Sequence, residues 1–190
     1  MIGNMIYFLD FEASSLDAGS YPIEIGWVDE DGQGESYLIQ PHWSWRGWSK
    51  RSEAIYHITQ DMLRDGTDAT VVARRVQTIL SDANIISDEP AFDAYWLEML
   101  LKVIDAPPLR VSDIDALIGL EMRRVLSAIT AEPNTSEWYR QSRLRMDEAQ
   151  IQAVMAYEDA SGRKPHRALP DAQALWRGWK AVCRAIDCLV

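Results

Sequence analysis

Three short segments of this chain carry side chains able to do chemistry together. Asp10 and Glu12 stand two apart at the end of the apolar run Ile6-Tyr7-Phe8-Leu9. Asp93 follows Phe92 in the middle of the chain, and His166 stands five positions before Asp171 near its end. Four carboxylates and one imidazole are a set able to hold two divalent cations and to supply one proton acceptor. That combination suits hydrolysis of phosphodiesters.

Each member also has a plainer reading. On a strand, the period of two puts Asp10 and Glu12 on one face and Phe11 on the other. An acidic pair inside an apolar strand is costly unless compensated, and cations are the simplest compensation. The alternative is a strand end that reaches solvent. Asp93 and Asp171 both fall in the first turn of an expected helix, where the macrodipole alone favours an acid. Asp93 lies one turn before Trp96 and Leu97, so it flanks the buried stripe of its helix. A loop histidine is commonly a surface residue. If Asp171 binds a cation, however, His166 is placed to accept a proton from water beside it, the natural role of a neutral imidazole near pH 7.

The elements that must position these groups are legible from the pattern. Met5 to Leu9, Ile23 to Val28 and Ser36 to Ile39 are apolar runs of strand length. Gly19-Ser20 with Pro22, and Asp31-Gly32 with Gly34, separate them, so an antiparallel meander is expected, ended by Pro41. The period then changes. Val72, Val76, Ile79 and Leu80 follow helical spacing, and Asn84 to Ser87 reads as a fourth strand. Phe92, Tyr95, Trp96, Met99, Leu100 and Val103 form a helical stripe stopped by Pro107-Pro108. Leu109 to Ile114 is an expected fifth strand. Ile118, Met122, Val125, Leu126 and Ile129 mark a helix, and Asn134 to Gln141 reads as a loop or a weak helix start. Ile151, Val154 and Met155 sit on a further helix ended by Ser161-Gly162. Leu175, Trp176, Trp179, Val182, Cys183 and Ile186 lie on the last, with Pro170 in its first turn. Three strands followed by helices alternating with two more give an α/β fold with a mixed sheet.

The chain has 190 residues, 47% of them hydrophobic, and a net charge of −10. One domain over residues 1–190 is expected, with enough apolar material for a core. The acidity argues against a long, tight footprint on duplex nucleic acid. It suits a short single strand better, because carboxylates loaded with cations are locally positive. Cys183 and Cys188 match neither a zinc pattern nor a disulfide framework. No basic leader and no apolar run of roughly 20 residues is present, so a cytoplasmic protein with no membrane partner is expected.

The pattern Asp10-x-Glu12, Phe92-Asp93 and His166-x4-Asp171 resembles the DEDDh (DnaQ-like) 3′→5′ exonucleases, which include polymerase proofreading subunits, ribonuclease T and oligoribonuclease. The resemblance covers roughly residues 5 to 185. Pro22-Ile23-Glu24-Ile25-Gly26 and Ala54-Ile55-Tyr56-His57-Ile58-Thr59 also match. It implies a ribonuclease H-like five-stranded mixed sheet, three antiparallel strands then two parallel, flanked by helices. It implies two Mg²⁺ or Mn²⁺ ions, held by Asp10, Glu12, Asp93 and Asp171, with His166 as general base. The product would be a nucleoside 5′-monophosphate. Ala13, Ser14, Leu16, His57 and Phe92 are the positions implied to surround the terminal nucleotide, Leu16 as a wedge against its base. The chain departs from the family in having Ala13-Ser14-Ser15 where Thr-Thr-Gly is common. Ile58 stands in place of a glycine, and Ser87-Asp88-Glu89-Pro90 leads into the middle aspartate in place of an asparagine-containing segment.

Two other clusters stand out. Trp43, Trp45 and Trp48 alternate with His42, Arg46, Lys50 and Arg51, a pattern able to stack bases but equally able to pack on its own domain or on a partner chain. Arg140, Arg143 and Arg145 form a basic group able to steer phosphates or simply to face solvent. Members of the resembled family often form homodimers, with the tryptophan loop a candidate interface here. The stand-alone domain and its acidity favour RNA or short oligonucleotides over DNA. The competing readings are a binding module of the same fold without activity, and a metal phosphoesterase acting on small nucleotides.

Overall fold

The computed structural model describes residues 5–17, 19–128, 135–161 and 166–187. Of the positions singled out above, Ile129, Asn134, Gly162 and Cys188 lie outside them. Strands β1 (Ile6–Ala13), β2 (Pro22–Asp29) and β3 (Gly34–Gln40) form the antiparallel meander. Then come α1 (Lys50–Tyr56), α2 (Gln60–Arg64), β4 (Thr67–Asp68), α3 (Ala69–Leu80), β5 (Asn84–Ser87) and α4 (Pro90–Lys102). The chain continues through β6 (Val111–Asp113), α5 (Ile114–Ala128), α6 (Thr135–Ser161) and α7 (Ala168–Asp187). The sheet order is β4-β3-β2-β1-β5-β6, with β5 and β6 added parallel to β1. The expected five-stranded mixed sheet is present. The addition is β4, two residues parallel to the end of β3, too short to show any alternation in the sequence.

The period of two on β1 and β2 divides the core. Leu9, Phe11, Ile25 and Trp27 face α3 and α4, whereas Phe8 and Val28 face α5 and α7. Asp10 and Glu12 share the face of Phe8, so they lie under α7. Opposite them in register on β2 are Gly26 and Glu24. A side-chain carbon at Gly26 would lie 2.3 Å from the backbone nitrogen of Leu169. That absence of a side chain lets the first turn of α7 settle directly on β2.

Two helices differ from the sequence expectation. The buried face of α4 is Asp93, Trp96, Leu97, Leu100 and Leu101, while Phe92 and Tyr95 are exposed. Apolar residues nearly encircle this helix, so spacing alone cannot choose its inner face. Of the two readings of the segment up to Gln141, loop or weak helix start, the helix start holds from Thr135, and it runs on into the expected helix of Ile151, Val154 and Met155. α6 runs unbroken for 27 residues, without Gly or Pro and rich in Ala, Arg, Gln, Glu and Met, which propagate a helix well. It packs along α7, where Gly178 faces Gln150 and Val154.

Candidate active site

The two acids of β1 meet two helix starts. Asp171 lies in the first turn of α7, where its Oδ2 accepts the Arg167 backbone N–H at 3.0 Å. Asp93 lies in the first turn of α4 and is 2% exposed. The Ser87 hydroxyl at the end of β5 donates a short hydrogen bond to it. Carboxylate oxygens of Asp10, Glu12 and Asp171 all lie within 4.8 Å of one another, and so do those of Asp10, Asp88 and Asp93. Asp10 belongs to both groups. All four acids singled out in the sequence are thus brought together, and a fifth, Asp88, joins them.

The electrostatics are those of an anionic centre only partly compensated by the described residues. Burial pushes the Asp10 carboxyl well above the usual range, and Asp93, Glu12, Asp171 and Asp88 push it further. Glu12 is raised to about 8, by burial first and then by Asp171 and Glu24, with Arg167 partly offsetting them. Asp93 is raised to about 7, again mainly by burial, against the hydrogen bond from Ser87. Among the described residues none donates a hydrogen bond to the Glu12 carboxylate, although the residue is 4% exposed. Buried like charges of this kind require either protons or cations. The donor set is carboxylate oxygen throughout, which fits hard divalent ions such as Mg²⁺ and Mn²⁺.

Two cavities open on the carboxylates. One, of about 280 Å³, is lined by Leu16, Tyr56, Phe92 and Trp96 as well as by the acids, and His166 lines both cavities. The other, of about 460 Å³, lies towards α6 and is lined by Asp88, Glu89, Gln150 and Val154. Among the described residues, no lysine or arginine lines either. Phe92 stacks on Trp96, with ring centroids 5.6 Å apart. His166 adopts a left-handed backbone with φ 61° and meets the ring of Tyr56 edge-on at 5.9 Å.

The positions expected near a terminal nucleotide divide. Leu16 and Phe92, 65% and 45% exposed, wall the first cavity. Ala13 and Ser14 are fully buried. The Ser14 hydroxyl and carbonyl accept the Tyr21 and Ser49 N–H groups, and its own N–H goes to the Tyr21 carbonyl. His57 caps the end of α1 with φ 55° and lines neither cavity. Its neighbour Tyr56 is the residue that reaches the site. Nothing in the local sequence distinguishes Tyr56 from the histidine beside it, and Asp88 stands out there only as part of a departure from the resembled family. Glu24 was read as part of a matching strand, yet it is an acid in an apolar run, the same signal that drew attention to Asp10 and Glu12.

The other clusters are largely occupied in the fold. Trp45 stacks on Tyr21 at 5.6 Å, and the Trp48 indole donates to Glu53. Trp43 alone of the three is well exposed, at 78%. Arg140 pairs with Glu137, and Arg143 with Asp115 and Asp147. Arg145 is exposed. No helix among the described residues is long and apolar enough to cross a membrane.

Neither a family model nor a curated protein matches the chain. Solved structures do. E. coli Exonuclease I in complex with a dA16 oligonucleotide superposes with a TM-score of 0.63 at 16% identity, over 97% of this chain and 42% of that one. The zinc-bound E. coli Exonuclease I–ssDNA complex gives 0.64 at 18%, over 98% and 42%. The Exonuclease I of Methylocaldum szegediense gives 0.63 at 17%, over 95% and 40%. The fold is ribonuclease H-like. The chain spans less than half the length of these solved chains.

Proposed function

We propose that residues 1–190 act as a single exonuclease domain that hydrolyses single-stranded nucleic acid from its 3′ end to nucleoside 5′-monophosphates, using two divalent cations. The observation that carries this reading is the pair of carboxylate triads sharing Asp10, open to a cavity that His166 also lines. The solved Exonuclease I structures with bound ssDNA or dA16 add weight to it. They also shift the first choice of substrate from RNA to single-stranded DNA.

Asp10, Glu12 and Asp171 would hold one ion, and Asp10 with Asp93 and Asp88 the other. When bound, Mg²⁺ or Mn²⁺ supplies Lewis-acid polarisation of the phosphodiester and of the attacking water. The protein's own part is positioning and proton transfer. Leu16 and Phe92 take the terminal base between apolar surfaces and exclude water from it. His166 accepts the proton of the attacking water at its imidazole. The ring of Tyr56 limits how far that imidazole swings.

Digestion of matched 5′-labelled DNA and RNA oligomers of several lengths, with Mg²⁺ or Mn²⁺, tests the proposal. A ladder shortening from the 3′ end with release of 5′-mononucleotides is expected, and its abolition in Asp10→Ala. Equal behaviour of Asp10→Ala and the natural protein overturns it. Turnover confined to a dinucleotide or a nitrophenyl phosphodiester selects the small-nucleotide phosphoesterase instead. Binding of oligomers without turnover selects the inactive module.

A further inference from the structure

Glu24 lies on β2 directly across from Glu12, on the same face of the sheet and at least as deeply buried. Its carboxylate is fully occupied. The Arg167 guanidinium donates to both its oxygens, through Nε at 2.8 Å and through Nη2. The Ala168 backbone N–H donates to Oε2 at 3.1 Å. Arg167 and Ala168 immediately follow His166, and the Arg167 N–H itself binds Asp171 Oδ2 at 3.0 Å. Beside this clamp, Gly26 lets the backbone of Ala168 and Leu169 lie on β2 with no side chain between.

Among the described residues, His166 has no comparable anchor of its own. It is exposed, its backbone is left-handed, a conformation a residue with a side chain rarely holds without support, and its ring contact is the edge of Tyr56. The fork of Arg167 on Glu24 fixes the next residue in position and direction, since a guanidinium seated on both oxygens of a carboxylate loses its freedom to turn. The Ala168 N–H fixes the one after.

We propose that Glu24 is a positioning residue, which through Arg167 and Ala168 holds the turn that aims His166 at the carboxylate centre and seats Asp171 beside Glu12. The inference rests on the reading of His166 and Asp171 as site residues. Glu24 itself touches neither substrate nor cation.

The test is Glu24→Gln in the full chain. The glutamine keeps the size and one acceptor for Ala168 N–H, but presents an amide group to the guanidinium. Two readouts separate positioning from simple stability. The first is the imidazole spectrum by two-dimensional NMR in the metal-free protein, where three histidines give three resolvable signals. The His166 signal is expected to shift or broaden while those of His42 and His57 stay. The second is kinetics on a labelled oligomer at saturating Mn²⁺. There kcat is expected to fall on the order of 10- to 100-fold, with KM changed less than about 2-fold, as for a group displaced by about an ångström. An unmoved His166 signal overturns the inference whatever the rate does, and so does an unchanged kcat in an active protein. Should the natural protein prove inactive, the exonuclease reading fails while the NMR comparison still decides the clamp. If Glu24→Gln does not fold, Arg167→Lys takes its place, since an ammonium cannot seat both oxygens. The same two outcomes then decide it.

Discussion

Glu12 and Glu24 are cross-strand neighbours on one face of one sheet, 4% and 2% exposed, yet they live in opposite electrostatic worlds. Glu24 receives an arginine fork and a backbone N–H. Glu12 faces Asp171 and Asp10, and burial raises its carboxyl to about 8. The difference teaches where to look for function. A buried acid satisfied by the protein is structural, and one that the described residues compensate only in part is a candidate for binding a cation.

That contrast gives opposite signs for stability in the metal-free state. Glu24→Ala leaves a half-exposed guanidinium and a buried N–H without their acceptor, and is expected to lower stability by about 1–3 kcal/mol. Glu12→Gln removes a repelled charge, and is expected to raise stability by on the order of 1 kcal/mol. Urea denaturation with EDTA present reads both, and a loss of similar size in each would break the contrast.

The pH dependence sharpens it. The carboxyls of Glu12 and Asp93 sit near 8 and 7 in the folded protein, above ordinary values of about 4. The folded state therefore binds more protons than the unfolded one. Its stability is fullest below about pH 4 as far as these groups are concerned, and falls as the pH rises to about 8, by on the order of a few kcal/mol. Thermal unfolding in EDTA should show Tm decreasing from pH 5 to 8. With Mn²⁺ present the decrease should shrink or reverse, because bound cations compensate the charge. A Tm in EDTA that climbs across this range would contradict the account.

The smallest effect concerns the tryptophan loop. Trp43→Ala should leave stability within about 0.5 kcal/mol, since an exposed side chain has little to lose. Trp45→Ala should cost about 2–3 kcal/mol through its lost packing on Tyr21. If Trp43→Ala instead weakens oligomer binding severalfold by fluorescence anisotropy, the loop belongs to the substrate path.

Much of this was legible in the sequence because strong physical rules applied. Acids two apart in an apolar strand, and acids in the first turns of helices, fix both placement and direction from local spacing. Asp88 was not legible as part of the cluster, since its approach to Asp10 depends on how β5 abuts β1. Tyr56 depends on where α1 ends, and the inner face of α4 on packing that an apolar-all-round helix does not encode. The Glu24–Arg167 pair joins residues 143 positions apart, beyond the reach of any local pattern. The two-residue β4 is defined only by its partner.

The most direct measurement is calorimetric titration of Mn²⁺ into the metal-free protein near pH 7.5, alongside Asp10→Ala. Two ions per chain are expected for the natural protein, with both lost or severely weakened in the variant, because Asp10 is common to the two triads. Absence of binding by the natural protein, or unchanged binding by Asp10→Ala, would contradict the claim that this buried anionic centre is a cation site.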